Sequence, residues 1–284
     1  MEVFALHSFF ALHNGKPTAA VSLANRGLAY GDGLFATIKV SDGRAQFLSE
    51  HLQRVQCDCA RLDIDLDTIA LECEIALLLS AHDSGILKII ITRNSGRRGY
   101  AVVPRASAER FLLFYPQRFA DDAHAREGVA VRLCRQRLSE QPALAGIKHL
   151  NRLEQVLARA EWSDSAIAEG LMLDVAGRLV EGTMSNVFLV RAGRAMTPPV
   201  HRCGVAGVMR DVVMHQLSAQ CVPVIESDLT LDDLCAADEV FLSNSVIGIW
   251  PVRKIECIHK TIGDVTIAFQ TALAELVAAQ RYSR

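Results

Sequence analysis

The spacing of apolar residues divides the chain into helices and strands. Over Ser49–Ile64, Leu52, Val55, Cys59 and Leu62 recur at helical intervals, which predicts an amphipathic helix. Asp67–Ala81 predicts a second helix. Ile86–Thr92 (ILKIIIT) is a short run rich in β-branched residues and predicts a buried strand. Phe111–Tyr115 predicts another, ended by Pro116. Gln117–Glu127 is polar and lacks an apolar period, as expected of a linker.

The second half has a different rhythm. Val129–Leu138 predicts a strand. After Gly146, Leu150–Ala160 predicts a helix with Leu150, Leu153, Val156, Leu157 and Ala160 on its apolar side. Short strands follow at Leu171–Val175, Arg178–Val180 and Val187–Val190, separated by Gly-containing turns. A helix runs from Val208 to about Ala219, strands return at Val222–Ile225 and Glu239–Leu242, and an amphipathic helix covers Val265–Gln280. Many short strands with few helices between them predict a barrel-like domain. The expected fold class is α/β (α+β) in two domains. A small α/β domain covers residues 1–116, a linker 117–127, and a larger pseudo-barrel domain 128–284.

Composition narrows the functional classes. The 284 residues carry 30 basic and 32 acidic side chains, a net charge of −2, which gives no electrostatic footprint for nucleic acid. No apolar run reaches the ~18 residues of a membrane span. The start, Met1-Glu2-Val3-Phe4, has no basic segment of the secretory kind. The eight cysteines (Cys57, Cys59, Cys73, Cys134, Cys203, Cys221, Cys235, Cys257) are scattered, with no C-x-x-C pair. Reduced thiols in a cytoplasmic protein are expected, without a disulfide framework and without a metal site.

Four stretches carry candidate chemistry, and none is a dinucleotide, P-loop or nucleophile-elbow motif. The first is Arg26-Gly27-Leu28-Ala29-Tyr30-Gly31-Asp32-Gly33-Leu34-Phe35-Ala36-Thr37, a Gly-rich turn leading into a strand. The second is His51-Leu52-Gln53-Arg54, whose arginine lies beside apolar neighbours; a buried arginine needs an anionic partner. The third is Gly146-Ile147-Lys148-His149-Leu150-Asn151-Arg152. Lys148 is either a surface lysine at a helix start or a partly desolvated amine whose lowered basicity suits a nucleophile. The fourth is Leu179-Val180-Glu181-Gly182-Thr183-Met184-Ser185-Asn186. Two further pieces follow: Gly204-Val205-Ala206-Gly207-Val208-Met209-Arg210, opening a helix whose free N–H groups suit a phosphate, and Phe241-Leu242-Ser243-Asn244-Ser245.

In this order, from about Ala24 to Pro251, the stretches resemble the fold-type IV pyridoxal-phosphate enzymes. That family includes branched-chain aminotransferases, D-amino acid aminotransferases and aminodeoxychorismate lyases. The resemblance implies pyridoxal 5'-phosphate as cofactor. It puts the Schiff-base lysine on Lys148, the carboxylate facing the pyridine nitrogen on Glu181, and a phosphate-binding arginine on Arg54. Further cofactor contacts fall on Asn186, on the backbone of Val208 and Met209, and on the Ser245 hydroxyl. Met209 stands where many members have threonine, so only its N–H would serve. The segments G-I-K-H-L-N-R-L-E-Q-V and T-R-N-S-G-R-R-G-Y resemble the lyase branch in particular. That branch converts 4-amino-4-deoxychorismate to 4-aminobenzoate and pyruvate, a step toward folate. Lys148 would then anchor the cofactor and act as base, Thr37 would handle a proton, and Arg98 and Arg93 would meet substrate carboxylates. E-G-T-M-S-N is shared with D-amino acid aminotransferases, so a D-amino acid or branched-chain aminotransferase is the alternative. The resemblance also implies a homodimer.

Overall fold

Alternation of buried and half-exposed residues, clearest over Gly33–Ser41, builds the first sheet. The computed structural model describes residues 9–18, 20–94, 99–103, 106–119, 122–219 and 221–282. The chain forms β1 (Phe10–His13), β2 (Lys16–Pro17), α1 (Arg26–Tyr30), β3 (Gly33–Ser41), β4 (Arg44–Ala45), α2 (Leu48–Arg61), α3 (Thr68–Leu79), β5 (Gly85–Arg93) and β6 (Ala108–Pro116). These strands make one antiparallel sheet in the order β2-β1-β6-β5-β3-β4. Leu34, Ala36, Ile38 and Val40 of β3, Leu87, Ile89 and Ile91 of β5, and Leu112 and Phe114 of β6 point to one buried face. Helix α2 packs on β3 and α3 on β6. The buried stripe of α2 is His51, Val55, Asp58 and Cys59, whereas Leu52 and Leu62 are only partly covered. Two polar side chains have thus taken places that periodicity reserved for leucine.

The second half forms α4 (Ala123–Glu127), β7 (Val129–Leu138), α5 (Leu153–Arg159), β8 (Ile167–Asp174), β9 (Leu179–Gly182), β10 (Asn186–Arg191) and β11 (Arg194–Thr197). Then come α6 (Val208–Asp211), which widens directly into a π-helical turn (Val212–Leu217), β12 (Val224–Glu226), α7 (Leu231–Ala236), β13 (Glu239–Asn244), β14 (Gly248–Ile255), β15 (Ile258–His259) and α8 (Asp264–Tyr282). The nine strands run β12-β11-β10-β13-β14-β7-β8-β9, with β15 on β14. Register shifts in the β14–β7, β7–β8 and β8–β9 pairs mark bulges, which bend a sheet toward a half-barrel. Its core includes Val129, Leu171, Val187, Leu189, Leu242 and Val252.

The chain divides into two compact units, Met1–Ala120 with Lys148–Asn151, and Asp121–Ile147 with Arg152–Arg284. The division falls inside the predicted linker, whose last five residues are α4. Lys148–Asn151, expected within the larger unit, packs with the smaller one. The reason is backbone pairing: Phe35 N–H donates to Lys148 O at 2.9 Å, Leu150 N–H donates to Gly33 O at 3.0 Å, and Leu34 bridges His149. The helix predicted over Leu150–Ala160 is shorter, and its expected apolar side faces outward. Leu153, Val156 and Leu157 are 76%, 59% and 57% exposed. Among the described residues no helix is long and apolar enough to cross a membrane.

Candidate active site

In the smaller unit the chemistry collects on the half-exposed face of the first sheet. Phe35, Thr37 and Lys39 alternate with buried residues along β3, and Thr37 lies opposite Lys88 of β5. Lys148 Nζ is 4.7 Å from the centre of the Phe35 ring, and Lys88 Nζ is 5.3 Å from it. Both ammonium groups are within cation–π range of one aromatic ring. Lys148 and Lys88 are therefore gathered on the face that carries the Thr37 hydroxyl.

Helix α2 supplies the groups behind Lys148. Asp58, 5% exposed, accepts from the Lys148 backbone N–H at 3.4 Å. His51 lies two turns before Asp58, and partly buried Arg54 one turn after His51. Burial, then the positive charges of Arg54 and Lys148, lower the His51 pKa to about 3. The ring is therefore neutral at physiological pH.

The larger unit carries an anionic centre and a Gly-rich loop of its own. Glu181, 4% exposed at the end of β9, accepts from Val205 N–H through Oε2 at 2.9 Å. Asn186 Nδ2 donates to Val205 O at 2.9 Å. Gly146 N–H donates to Gly204 O, and Ala206 N–H returns to Gly146 O, both at 2.9 Å. The 204–207 loop is thus fixed from three sides. A Cβ on Gly207 would overlap Asn186 Oδ1, so any other residue there must displace the Asn186 amide. The loop opens α6, where helical geometry leaves the amides of Val208, Met209 and Arg210 without intrahelical acceptors.

A second carboxylate organises the turn after Glu181. Glu169, 1% exposed, accepts from Gly170 N–H (2.8 Å), Thr183 N–H (3.1 Å), Thr183 Oγ1 (2.5 Å), Met184 N–H (3.1 Å) and Ser185 Oγ (2.9 Å). Asn244 Nδ2 donates to Met184 O at 3.0 Å, and Asn244 Oδ1 accepts from Val246 and Ile247, shaping the turn that holds Ser245.

The predicted residues fall as follows. Lys148, Thr37 and Arg54 lie in the smaller unit; Glu181, Asn186, Val208, Met209 and Ser245 lie in the larger. The Met209 side chain is buried at 2% exposure, which leaves its N–H as the group available to a ligand. The Asn186 amide holds the loop. Arg93 is 6% exposed, with Nε on Asp32 at 3.0 Å, Nη1 on Asp63 O at 2.7 Å and Nη2 on Leu62 O at 2.6 Å. Its guanidinium is committed inside the smaller unit, which favours a structural role over a substrate contact. Arg98 lies outside the described residues.

Sequence reasoning missed Lys88, Asp58 and Glu169, and passed over His51 within the quoted H-L-Q-R. A signal was present for two of them. Lys88 is the lone charge in ILKIIIT, and Glu169 the lone charge before L-M-L in β8. Among the described residues no group of three or more His, Cys, Asp or Glu side chains could hold a metal ion.

Residues 33–255 match the model of the family described as amino-transferase class IV. The chain belongs to this family. Among members of the class, it is 38% identical over 249 residues to an aminodeoxychorismate lyase of Vibrio harveyi, covering 85% of this chain and 90% of the relative. It is 32% identical to a putative branched-chain-amino-acid aminotransferase of Methanocaldococcus jannaschii, covering 89% of this chain and 91% of that protein. The crystal structure of 4-amino-4-deoxychorismate lyase from Pseudomonas aeruginosa superposes with a TM-score of 0.89. It is 48% identical, over 93% of this chain and 98% of that one.

Proposed function

We propose that this class IV aminotransferase family member is a pyridoxal-phosphate-dependent lyase that converts 4-amino-4-deoxychorismate to 4-aminobenzoate and pyruvate. The observation that carries this reading is the 48% identity with the Pseudomonas aeruginosa lyase over 93% of the chain. Lys148 supports it, because its amine shares a sheet face with the Thr37 hydroxyl.

The residues present suit the cofactor. Lys148 offers a primary amine, Arg54 a cation, Glu181 a buried carboxylate, and the 204–209 segment backbone N–H groups. Bound at Lys148, pyridoxal phosphate supplies an electrophilic carbon for the substrate amine and a protonated ring that withdraws electrons. Glu181 would keep the ring nitrogen protonated, and Arg54 and the backbone amides of Val208 and Met209 are the groups that would hold the phosphate. Asn186 keeps the loop before those amides in place, and Ser245 adds a hydroxyl. Lys148 would remove the proton from the amine-bearing carbon. Thr37 hands a proton to the departing enolpyruvyl group. The ring aromatises and pyruvate is released. Lys88 meets one substrate carboxylate and Arg98 the other.

The enzyme is taken to be a cytoplasmic homodimer. All eight cysteines are free thiols, as suits a reducing compartment. The outward apolar side of α5 suits coverage by a second chain.

The test is direct. Purified protein given 4-amino-4-deoxychorismate should release pyruvate with no keto-acid acceptor, and borohydride should fix the cofactor to Lys148. Lys148→Ala should lose both. An absolute need for a keto-acid acceptor would establish instead the aminotransferase reading, which the Methanocaldococcus jannaschii relative favours.

A further inference from the structure

His51 presents a problem that the fold alone does not solve. The ring is 1% exposed, and neither Nδ1 nor Nε2 has a hydrogen-bond partner. A neutral imidazole carries one N–H donor and one acceptor nitrogen. Buried polar groups with no partner are rare, and each calls for a specific explanation. A purely apolar side chain would have filled this place in the α2 stripe at no such cost, as Val55 does one turn later.

The surroundings specify what is missing. Arg54 follows at i+3 on the same helix, and positions three apart are neighbours on a helix surface. The cations acting on His51 are Arg54 and Lys148, so the ring lies in a region of positive potential. A ligand drawn to that region is an anion rich in acceptor oxygens. A phosphate monoester has three terminal oxygens, more than one arginine occupies. A neutral imidazole donates to such an oxygen without adding a third positive charge beside Arg54 and Lys148.

We infer that His51 is a ligand of the cofactor phosphate, its ring N–H donating to a phosphoryl oxygen beside Arg54. The inference rests on the proposed use of pyridoxal phosphate. It adds a neutral donor to the cationic and backbone groups already assigned.

The experiment compares pyridoxal 5'-phosphate with pyridoxal, which lacks the phosphate, on cofactor-free full-length protein. Uptake is read by visible absorbance and by borohydride trapping at Lys148, and the bound phosphate by its ³¹P resonance. In His51→Leu, affinity for pyridoxal 5'-phosphate should fall roughly tenfold to a hundredfold, the effect of one hydrogen bond to a charged group. Affinity for pyridoxal should not change. His51→Gln keeps a donor and should recover part of the loss with a shifted ³¹P resonance; it carries the test if His51→Leu fails to fold. Equal weakening of both compounds would assign His51 a structural role and overturn the inference. Unchanged affinity for both, with an unmoved ³¹P resonance in His51→Gln, would overturn it as well. If wild-type protein traps neither compound, the cofactor reading itself falls, and this inference with it.

Discussion

Replacing Glu169 should damage the larger unit more than any single ligand position, and the size of the effect follows from its five donors. The carboxylate is 1% exposed and accepts from three backbone N–H groups and two hydroxyls. Glu169→Ala strands the Gly170 N–H and the buried Ser185 hydroxyl, while Thr183 N–H keeps Gly170 O and water reaches Met184, which is 52% exposed. Each stranded buried donor costs about 1–3 kcal/mol, so the expected loss is about 3–5 kcal/mol. Glu169→Gln keeps one accepting oxygen for Gly170 and Thr183. It puts an NH₂ against Met184 N–H and Ser185 Oγ, and the serine can reverse to accept. The expected loss is about 1.5–3 kcal/mol, from lost charge assistance and one donor–donor contact. The only tryptophans, Trp162 and Trp250, both lie in this unit, so their fluorescence reports its unfolding. With a urea m-value of about 2 kcal/mol/M, the Gln variant should lower the midpoint by about 1 M. Alanine no worse than glutamine, or both within about 0.5 kcal/mol of wild type, would refute the assignment of Glu169 as the anchor of this turn.

Three further outcomes are expected. Lys88→Met should raise KM for the chorismate-derived substrate roughly tenfold with kcat little changed, by loss of one charge-assisted contact, and Lys88→Arg should restore most of it; equal KM values would remove Lys88 from the site. Gly207→Ala drives a Cβ into Asn186 Oδ1 and should cost about 1–3 kcal/mol together with weaker cofactor uptake; unimpaired uptake would show that the loop tolerates release from Asn186. His51 binds its proton more weakly folded (pKa about 3) than unfolded (6.5), so the unfolded chain takes up the extra proton. Stability from the neutral ring is complete above pH 6.5 and is lost as pH falls toward 3, amounting to about 2 kcal/mol by pH 5. Exchange protection of α2 amides, corrected for intrinsic rates, should show this loss in wild type and not in His51→Leu.

Periodicity located the elements whose burial is one-sided and local. β7 begins and ends where alternation predicts, and α3, β5, β6 and α8 differ by a few residues at most. It misjudged α5 for a physical reason. Leu153, Val156 and Leu157 define an apolar side, but a pattern does not say what covers it, and nothing among the described residues does. It also missed β14, where Pro251 interrupts the apolar alternation yet pairs with Phe241. Arg93 was expected at the substrate and Lys88 was passed over for the same reason. Both are cations on β5, and only three-dimensional placement shows that Arg93 is enclosed by Asp32, Leu62 and Asp63 while Lys88 stands over Phe35.

The motif around Glu181 was legible for a different reason. Its polar residues are fixed by the fold as much as by any ligand. Glu181 holds Val205 N–H, Asn186 holds Val205 O, and Thr183 and Ser185 bind Glu169. Met184 lends its carbonyl to Asn244, and Gly182 leaves room for Ser185 and Glu169, which a Cβ would strike. Apart from the exposed Met184, whose carbonyl any residue would supply, each position in E-G-T-M-S-N therefore answers a geometric demand, for a hydrogen-bonding group or, at Gly182, for space. Such a segment is recognisable because its tolerance is narrow. Lys148 is the opposite case. Its backbone bonds to Phe35 and Asp58 could be made by any residue type but proline, and its amine stands over the Phe35 ring. An amine held over Phe35, on the sheet face that also carries Thr37 and Lys88, is explained by chemistry better than by the backbone bonds that fix its residue.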